Sequence, residues 1–516
     1  MTAESDFNTR LLMVQGTTSD AGKSALVTAL CRLLARQGYA VAPFKSQNMA
    51  LNSAVSVEGG EIGRAQAVQA LACGLPPSIR FNPILLKPTG EQCSQVIVEG
   101  QAISHMSAKA YHALKPQLRQ HVIDRVNSLA TDMQFVMLEG AGSPAEINLR
   151  QHDLVNMGLA LPIRAPVILV ADIDRGGVFA HLVGTLELLT PQERRLIIGF
   201  VINRFRGDPA LLEPGIEWLE KHTALPVLAV IPWIDNLHLD AEDSLSLPHA
   251  SHPAVSNTAI RVVVIHVPSL SNQTDIDALR FHPDVDVTLA RTPQEVTAAD
   301  LCILPGSKHT LADLKWLRRQ RWPTWIARHL RYGGKVLGIC GGYQMLGCWL
   351  EDVTAQPSRV AGLGWLNHTT RYTSHKILRQ SCCQGSFTGR SLPLSGYEIH
   401  TGTSTPADRS KGERPFAHYT DTVPVQEEGT RSADNQVIGT YLHGVLDTPE
   451  ALEDLLCWVD ESRRTDSTNT FDMHRYRLNE IDRLADAVGR SLRLDRWPAS
   501  DLKEALCLAV SNITSI

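Results

Sequence analysis

The chain has 516 residues, 43% of them hydrophobic and 20% charged, with a formal net charge of -5. That length accommodates two or three domains with separate cores, and the charge balance gives no basic excess to favour nucleic acid or an anionic membrane surface. The first ten residues, MTAESDFNTR, contain no apolar h-region, and the most apolar stretch, MGLALPIRAPVILVADI, is broken by Arg164 and two prolines. The expectation is therefore a soluble, cytoplasmic protein with no membrane insertion. Ten cysteines without a C-x-x-C pair suit a reducing compartment better than a disulfide framework or a zinc site.

In chain order, LLMVQG reads as a buried strand, and KSALVTALCRLLARQG repeats leucines at helical spacing before Gly38. The apolar runs YAVAPF, QFVMLEG, APVILVADI, LIIGFVIN and LPVLAVIP follow, separated by helix-length segments such as EIGRAQAVQALACG. This alternation predicts a doubly wound α/β sheet over residues 1–235. Residues 236–258 are polar, contain proline and lack a period, as a linker does. A second α/β series over 259–450 begins at IRVVVIHVPSL, continues through LCILPGS and KVLGIC, and closes with QVIGTYLHG. From 451 to 516, DRLADAVGRSL and DLKEALCLAV predict a helical C-terminal extension.

The first glycine-rich loop, VQGTTSDAGKS, has five residues between Gly16 and Gly22, one more than the usual G-x-x-x-x-G-K-[ST] pattern. The chemistry tolerates the extra residue. Backbone N–H groups from Thr18 to Lys23 would cradle phosphate oxygens at a helix N-terminus, with Lys23 neutralising charge and Ser24 supplying a hydroxyl to Mg2+. A tight strand-to-helix turn with an exposed lysine is the plainer alternative.

The second glycine-rich stretch, KVLGICGGYQMLG, places Cys340 between a strand and a helix, as in a nucleophile elbow. A cysteine at a helix N-terminus has its thiolate favoured, and His443 in VIGTYLHG follows another strand of the same half as a candidate base. A packed core thiol and a satisfied histidine are the commoner fates of such residues taken singly.

GTTSDAGKS resembles the loop of dethiobiotin synthetase and its related ATP-dependent amidoligases, which phosphorylate a carboxylate. Partitioning ATPases of the same superfamily carry a lysine where this chain has Thr17. The resemblance implies ATP as cofactor and a metal site completed by Glu139 in VMLEGAGS. It also implies a phosphate-facing Lys45 in APFKSQN and an adenine-reading Asn203 in GFVINRF. Asp20, grouped with the nucleotide-binding residues, and Asp172 are further carboxylates near that edge, open between metal contact and capping.

The second half resembles class I glutamine amidotransferases, which release ammonia from L-glutamine through a cysteinyl thioester on a flavodoxin-like domain. LPGS matches their oxyanion loop, so the N–H groups near Gly306 and Ser307, with that of Gly341, are the expected oxyanion hole. Those enzymes carry a glutamate two residues after the histidine, and here that position is Val445. The third triad member orients the imidazole rather than moving a proton, and the same gap is a feature of the cobyrinic acid amidating branch.

Taken together, QNMALNS, EIGRAQ, FNPILLKP, LEGAGSPAEINL, VADIDRGGVFA, GFVINRFRGD, GICGGYQMLG, GYEIHTG and GTYLHG resemble the cobyric acid synthase family over nearly the whole chain. The resemblance implies ATP- and glutamine-dependent amidation of the b, d, e and g carboxylates of a corrinoid substrate, adenosylcobyrinic acid a,c-diamide. Arg64 and Lys87 would offer charge to that anion, while His309, His400 and Glu398 default to structural roles. Cobyrinic acid a,c-diamide synthase, CTP synthase and a glutamine-sensing regulatory ATPase are the alternatives. Oligomeric state is left open.

Overall fold

The computed structural model describes residues 10–88, 93–240, 259–353, 358–407, 412–463 and 470–514. Residues 241–258, most of the expected linker, lie outside them. The chain divides into two compact units, one of Met1–Glu242 with Arg477–Ile516, the other of Asp243–Tyr476.

The first unit is built on a six-stranded parallel sheet. Its order is Val227–Pro232, Ile197–Phe205, Val167–Asp172, Leu11–Gly16, Phe135–Glu139 and Val41–Phe44. Its central strands are continuous apolar runs because both faces are covered. Leu11, Met13, Val136 and Leu138 enter one core, and Leu12, Val14, Phe135 and Met137 enter the other. That alternation makes the sheet doubly wound, as the sequence predicts. The first strand of the chain, Leu11–Gly16, lies where the order reverses, so its loop opens on the crevice where such sheets bind ligands.

Helix Lys23–Arg36 buries Leu26, Val27, Leu30, Leu33 and Leu34. Its apolar face shares the second core with Leu484, Val488, Leu506 and Ile513 from the C-terminal helices Met473–Ser491 and Asp501–Thr514. Arg32 pairs with Asp482 at 2.7 Å and Arg36 with Asp486 at 2.7 Å, so the tail closes over the helix that follows the loop. A four-stranded sheet of Gln47–Met49, Ile84–Pro88, Cys93–Val98 and Gln101–Ser107 is the part of this unit that the sequence does not announce.

The second unit has strands Val285–Ala290, Ile260–Ile265, Leu301–Leu304, Lys335–Ile339 and Val437–Thr440 in parallel, in flavodoxin-like order, with Thr430–Arg431 as an antiparallel edge. A long antiparallel hairpin, His368–Gly385 with Leu392–Pro406, forms a second layer. Among the described residues no helix is long and apolar enough to cross a membrane.

Candidate active sites

In the first unit, Gly22 has a φ of 101°, a left-handed conformation that glycine adopts without strain. This turn aims Lys23 back into the loop. Its Nζ donates to the carbonyls of Thr18 and Gly142, each at 3.0 Å. A side chain at Gly16 would meet Lys23 Nζ at 2.8 Å, so the loop is a cradle with room for backbone approach only. Asn203 Nδ2 donates to the Ala21 carbonyl at 3.0 Å, and thus braces the loop from the end of its strand. Asp20, at a φ of 57°, is exposed and 3.3 Å from Arg175. Asp172 is buried and accepts from Arg204 at 2.8 Å.

Glu139 is 1% exposed and collects the polar groups of this edge. Its Oε1 accepts from Ser24 Oγ at 2.7 Å and pairs with Lys45 Nζ at 2.8 Å, while its Oε2 accepts from Gln69 Nε2 at 2.5 Å. Burial alone would raise its pKa, but the Lys45 ammonium and the hydrogen bonds from Lys45, Ser24 and Gln69 reverse that and hold the carboxyl below its ordinary range. A hydroxyl and a carboxylate oxygen so close together are the hard-oxygen donors that Mg2+ takes, with phosphate and water completing the shell. The residues therefore fit such an ion. Gln69, from helix Arg64–Ala72, has no motif of its own, and its only sequence signal is a polar residue on a buried helix face.

The corrinoid expectation for Lys87 meets a competing partner. Its ammonium is paired with the buried Glu61, and Ser53 accepts from it at 3.0 Å.

In the second unit, strand Lys335–Ile339 ends at Cys340, whose φ of 51° and ψ of -105° are the strained backbone of a nucleophile elbow. Helix Gly341–Leu346 follows at once. Cys340 is 7% exposed, and its Sγ lies 3.9 Å from the Ile399 carbonyl of the overlying hairpin. A Cβ on Gly341 would fall 2.8 Å from the Ser307 nitrogen, and one on Gly306 would fall 3.3 Å from His443 Cε1. Gly306, Ser307, Gly341, Cys340 and His443 are thus gathered at one end of the parallel sheet.

His443 is 1% exposed, and its Nδ1 lies 2.7 Å from Asp275 Oδ2. Asp275 Oδ1 also accepts from the Gly444 N–H at 2.9 Å, which fixes the carboxyl group in two directions. Burial would lower the histidine's pKa, but Asp275 and Cys340 together lift it well above its ordinary value. The Cys340 side chain is the ring's other neighbour, and its charge and hydrogen bond to the ring contribute to that rise. Asp275, in the short turn Gln273–Ile276, is the acid that the sequence reading lacks, while Val445 is an apolar core residue.

Glu398 and His400 flank Ile399 and brace the hairpin. Glu398 accepts from Arg379 at 2.8 Å and Ser381 at 2.6 Å, and His400 Nε2 lies 3.2 Å away. Burial opposes these contacts, yet they bring Glu398 down to about 2. His309 donates its backbone N–H to Ser307 Oγ at 3.1 Å.

Residues 12–247 match the CobQ/CobB/MinD/ParA nucleotide binding domain, and residues 261–451 match the CobB/CobQ-like glutamine amidotransferase domain. A cobyric acid synthase from Marinomonas sp. (strain MWYL1) is 49% identical over 495 residues, covering 94% of this chain and 97% of the relative. Among solved structures, PurLQS from Thermotoga maritima is 14% identical over 39% of this chain and 100% of its own, with a TM-score of 0.29. A glutamine amidotransferase structure is 16% identical over 43% of this chain and 98% of its own, with a TM-score of 0.27. With a nucleotide-binding half, a glutamine amidotransferase half and a relative this similar along almost its full length, the chain belongs to the cobyric acid synthase family.

Proposed function

We propose that this chain amidates the b, d, e and g carboxylates of adenosylcobyrinic acid a,c-diamide, with ATP as activator and L-glutamine as nitrogen donor. Residues 1–235 act as the amidoligase and 259–450 as the glutaminase. The observation that carries this is the pairing of Asp275 and His443 beside Cys340, on the same chain as the Lys23, Ser24 and Glu139 cradle.

In the glutaminase, His443 takes the Cys340 proton and the sulfur attacks the side-chain amide carbon of glutamine. The N–H groups of Gly306, Ser307 and Gly341 receive the oxyanion. His443 returns the proton to the leaving nitrogen, ammonia departs, and water activated by His443 hydrolyses the thioester to glutamate. In the amidoligase, a corrinoid carboxylate attacks the terminal phosphorus of ATP and ADP leaves. Ammonia then displaces phosphate from the acyl phosphate.

Loop amides from Thr18 to Lys23 and the Lys23 ammonium hold the phosphates. Ser24 and Glu139 would hold Mg2+, which when bound neutralises charge on the phosphate oxygens. Lys45, whose ammonium pairs with Glu139 at 2.8 Å, would contact the transferred phosphoryl group.

Incubation with the a,c-diamide, MgATP and glutamine, followed by mass spectrometry of the corrinoid, tests this. Four successive carboxyl-to-amide exchanges are expected. No change to the a,c-diamide but exchange at two carboxylates when cobyrinic acid replaces it would transfer the assignment to the a,c-diamide synthase reaction, and nucleotide turnover without corrinoid change would overturn amidation.

A further inference from the structure

The first sheet gives its ligand a direction. The phosphate loop leaves the central strand Leu11–Gly16. Lys45 and Glu139 follow the strands on one side of it, and Val167–Asp172, Ile197–Phe205 and Val227–Pro232 lie on the other. A nucleotide whose terminal phosphate faces Glu139 and Lys45 therefore carries its base across the ends of these last three strands.

A flat platform stands at that end. Trp233 directly follows strand Val227–Pro232, and its backbone N–H donates to the Phe205 carbonyl at 2.8 Å. Its indole N–H donates to Asp235 Oδ1 at 3.0 Å. The Arg206 guanidinium lies 3.6 Å from the ring centroid, and Arg206 Nε is held by Asp174 Oδ1 at 3.1 Å. The indole and the guanidinium are thus each fixed by a carboxylate. Yet Trp233 remains 38% exposed, at the ligand-binding edge of the sheet.

We propose that Trp233 and Arg206 form the stacking surface for the base of the nucleoside triphosphate, the indole supplying a π face and the guanidinium a planar cation. This rests on the nucleotide-binding role given to the loop above. It makes this pair, rather than the phosphate cradle, the part of the site that distinguishes a nucleotide from a bare polyphosphate.

Calorimetric titration of the full chain with MgATP and, separately, with magnesium tripolyphosphate tests it. Trp233→Ala should weaken ATP binding about tenfold or more, the usual effect of removing an aromatic partner from a base, and leave tripolyphosphate unchanged. Trp233→Phe should recover most of the ATP affinity, and Arg206→Ala should weaken ATP alone. Equal losses for both ligands, or no loss for either, would overturn the stacking assignment. If the parent binds neither ligand, or Lys23→Ala does not weaken tripolyphosphate, the nucleotide-binding role fails first and the platform with it.

Discussion

Asp275 Oδ2 and His443 Nδ1 are 2.7 Å apart although 168 residues separate them in the chain. A carboxylate only accepts hydrogen bonds, so a proton is held on Nδ1 and Nε2 is the nitrogen left to exchange a proton with Cys340. Asp275→Asn keeps the size and loses that control of the tautomer. Glutamine-dependent turnover should fall on the order of 10²- to 10⁴-fold, the scale seen when a triad acid is neutralised, and the pH profile should lose the limb set by the raised His443. Ammonium-dependent amidation should be unchanged. A glutamine rate within a few-fold of the parent would show that Asp275 does not position the base.

Cys340→Ser replaces a readily ionised thiol by a poorly nucleophilic hydroxyl without altering the elbow. The variant should make no amide from glutamine, yet still amidate the corrinoid when ammonium is supplied at mildly alkaline pH. Both rates, measured on one folded preparation, decide the matter. Parallel loss of the two would make Cys340 a packing residue instead.

In the proposed mechanism Lys23 would serve a step common to both nitrogen sources. Lys23→Ala should lower turnover about a hundredfold or more with glutamine and with ammonium alike, the scale of losing one charge-stabilising group. With a corrinoid labelled in its carboxylate oxygens, the parent should pass label into phosphate. Unlabelled phosphate would exclude the acyl phosphate.

Glu428 gives the second unit a pH dependence. Its Oε1 accepts from the Tyr441 N–H at 2.6 Å and Thr440 Oγ1 at 3.0 Å, but complete burial, reinforced by nearby Glu398, overrides these bonds and pushes its pKa up to about 8. The folded state keeps a proton that the unfolded chain releases above its ordinary value of 4.5. This contribution is therefore fully present below that value and is lost as pH rises to about 8, at up to ~1.4 kcal/mol per pH unit. Glu428→Gln should melt at a higher temperature than the parent at pH 8, with the gap closing toward pH 5. Melting curves that stay parallel across that range would show that Glu428 is ionised in the fold.

The parallel sheets and both glycine-rich turns are legible in the sequence because their signals are local. Strands buried on both faces read as unbroken apolar runs, and the residues around Lys23 and Cys340 adjoin the turns that aim them. Asp275 is not legible, because TDID carries no motif and its partner lies in another turn on the same sheet edge. Gln69, 70 residues from Glu139, is hidden for the same reason. The hairpin strand HTTRYTSHKILRQSCCQG escapes because it mixes charged and hydroxyl residues with apolar ones, so neither a buried run nor a clean alternation stands out.

The return of the C-terminal helices onto helix Lys23–Arg36 sets an order on synthesis. The first unit's second core needs Leu484, Val488, Leu506 and Ile513, so its nascent chain must wait while the whole of Asp243–Tyr476 is made. At ribosomal rates that interval is on the order of tens of seconds. During it, the apolar side of the helix after the phosphate loop has no native cover. The glutaminase unit is therefore the first to have its whole core synthesised, and chains truncated after Tyr476 and released from the ribosome should yield a protease-resistant fragment from that unit while the nucleotide-binding unit is still digested.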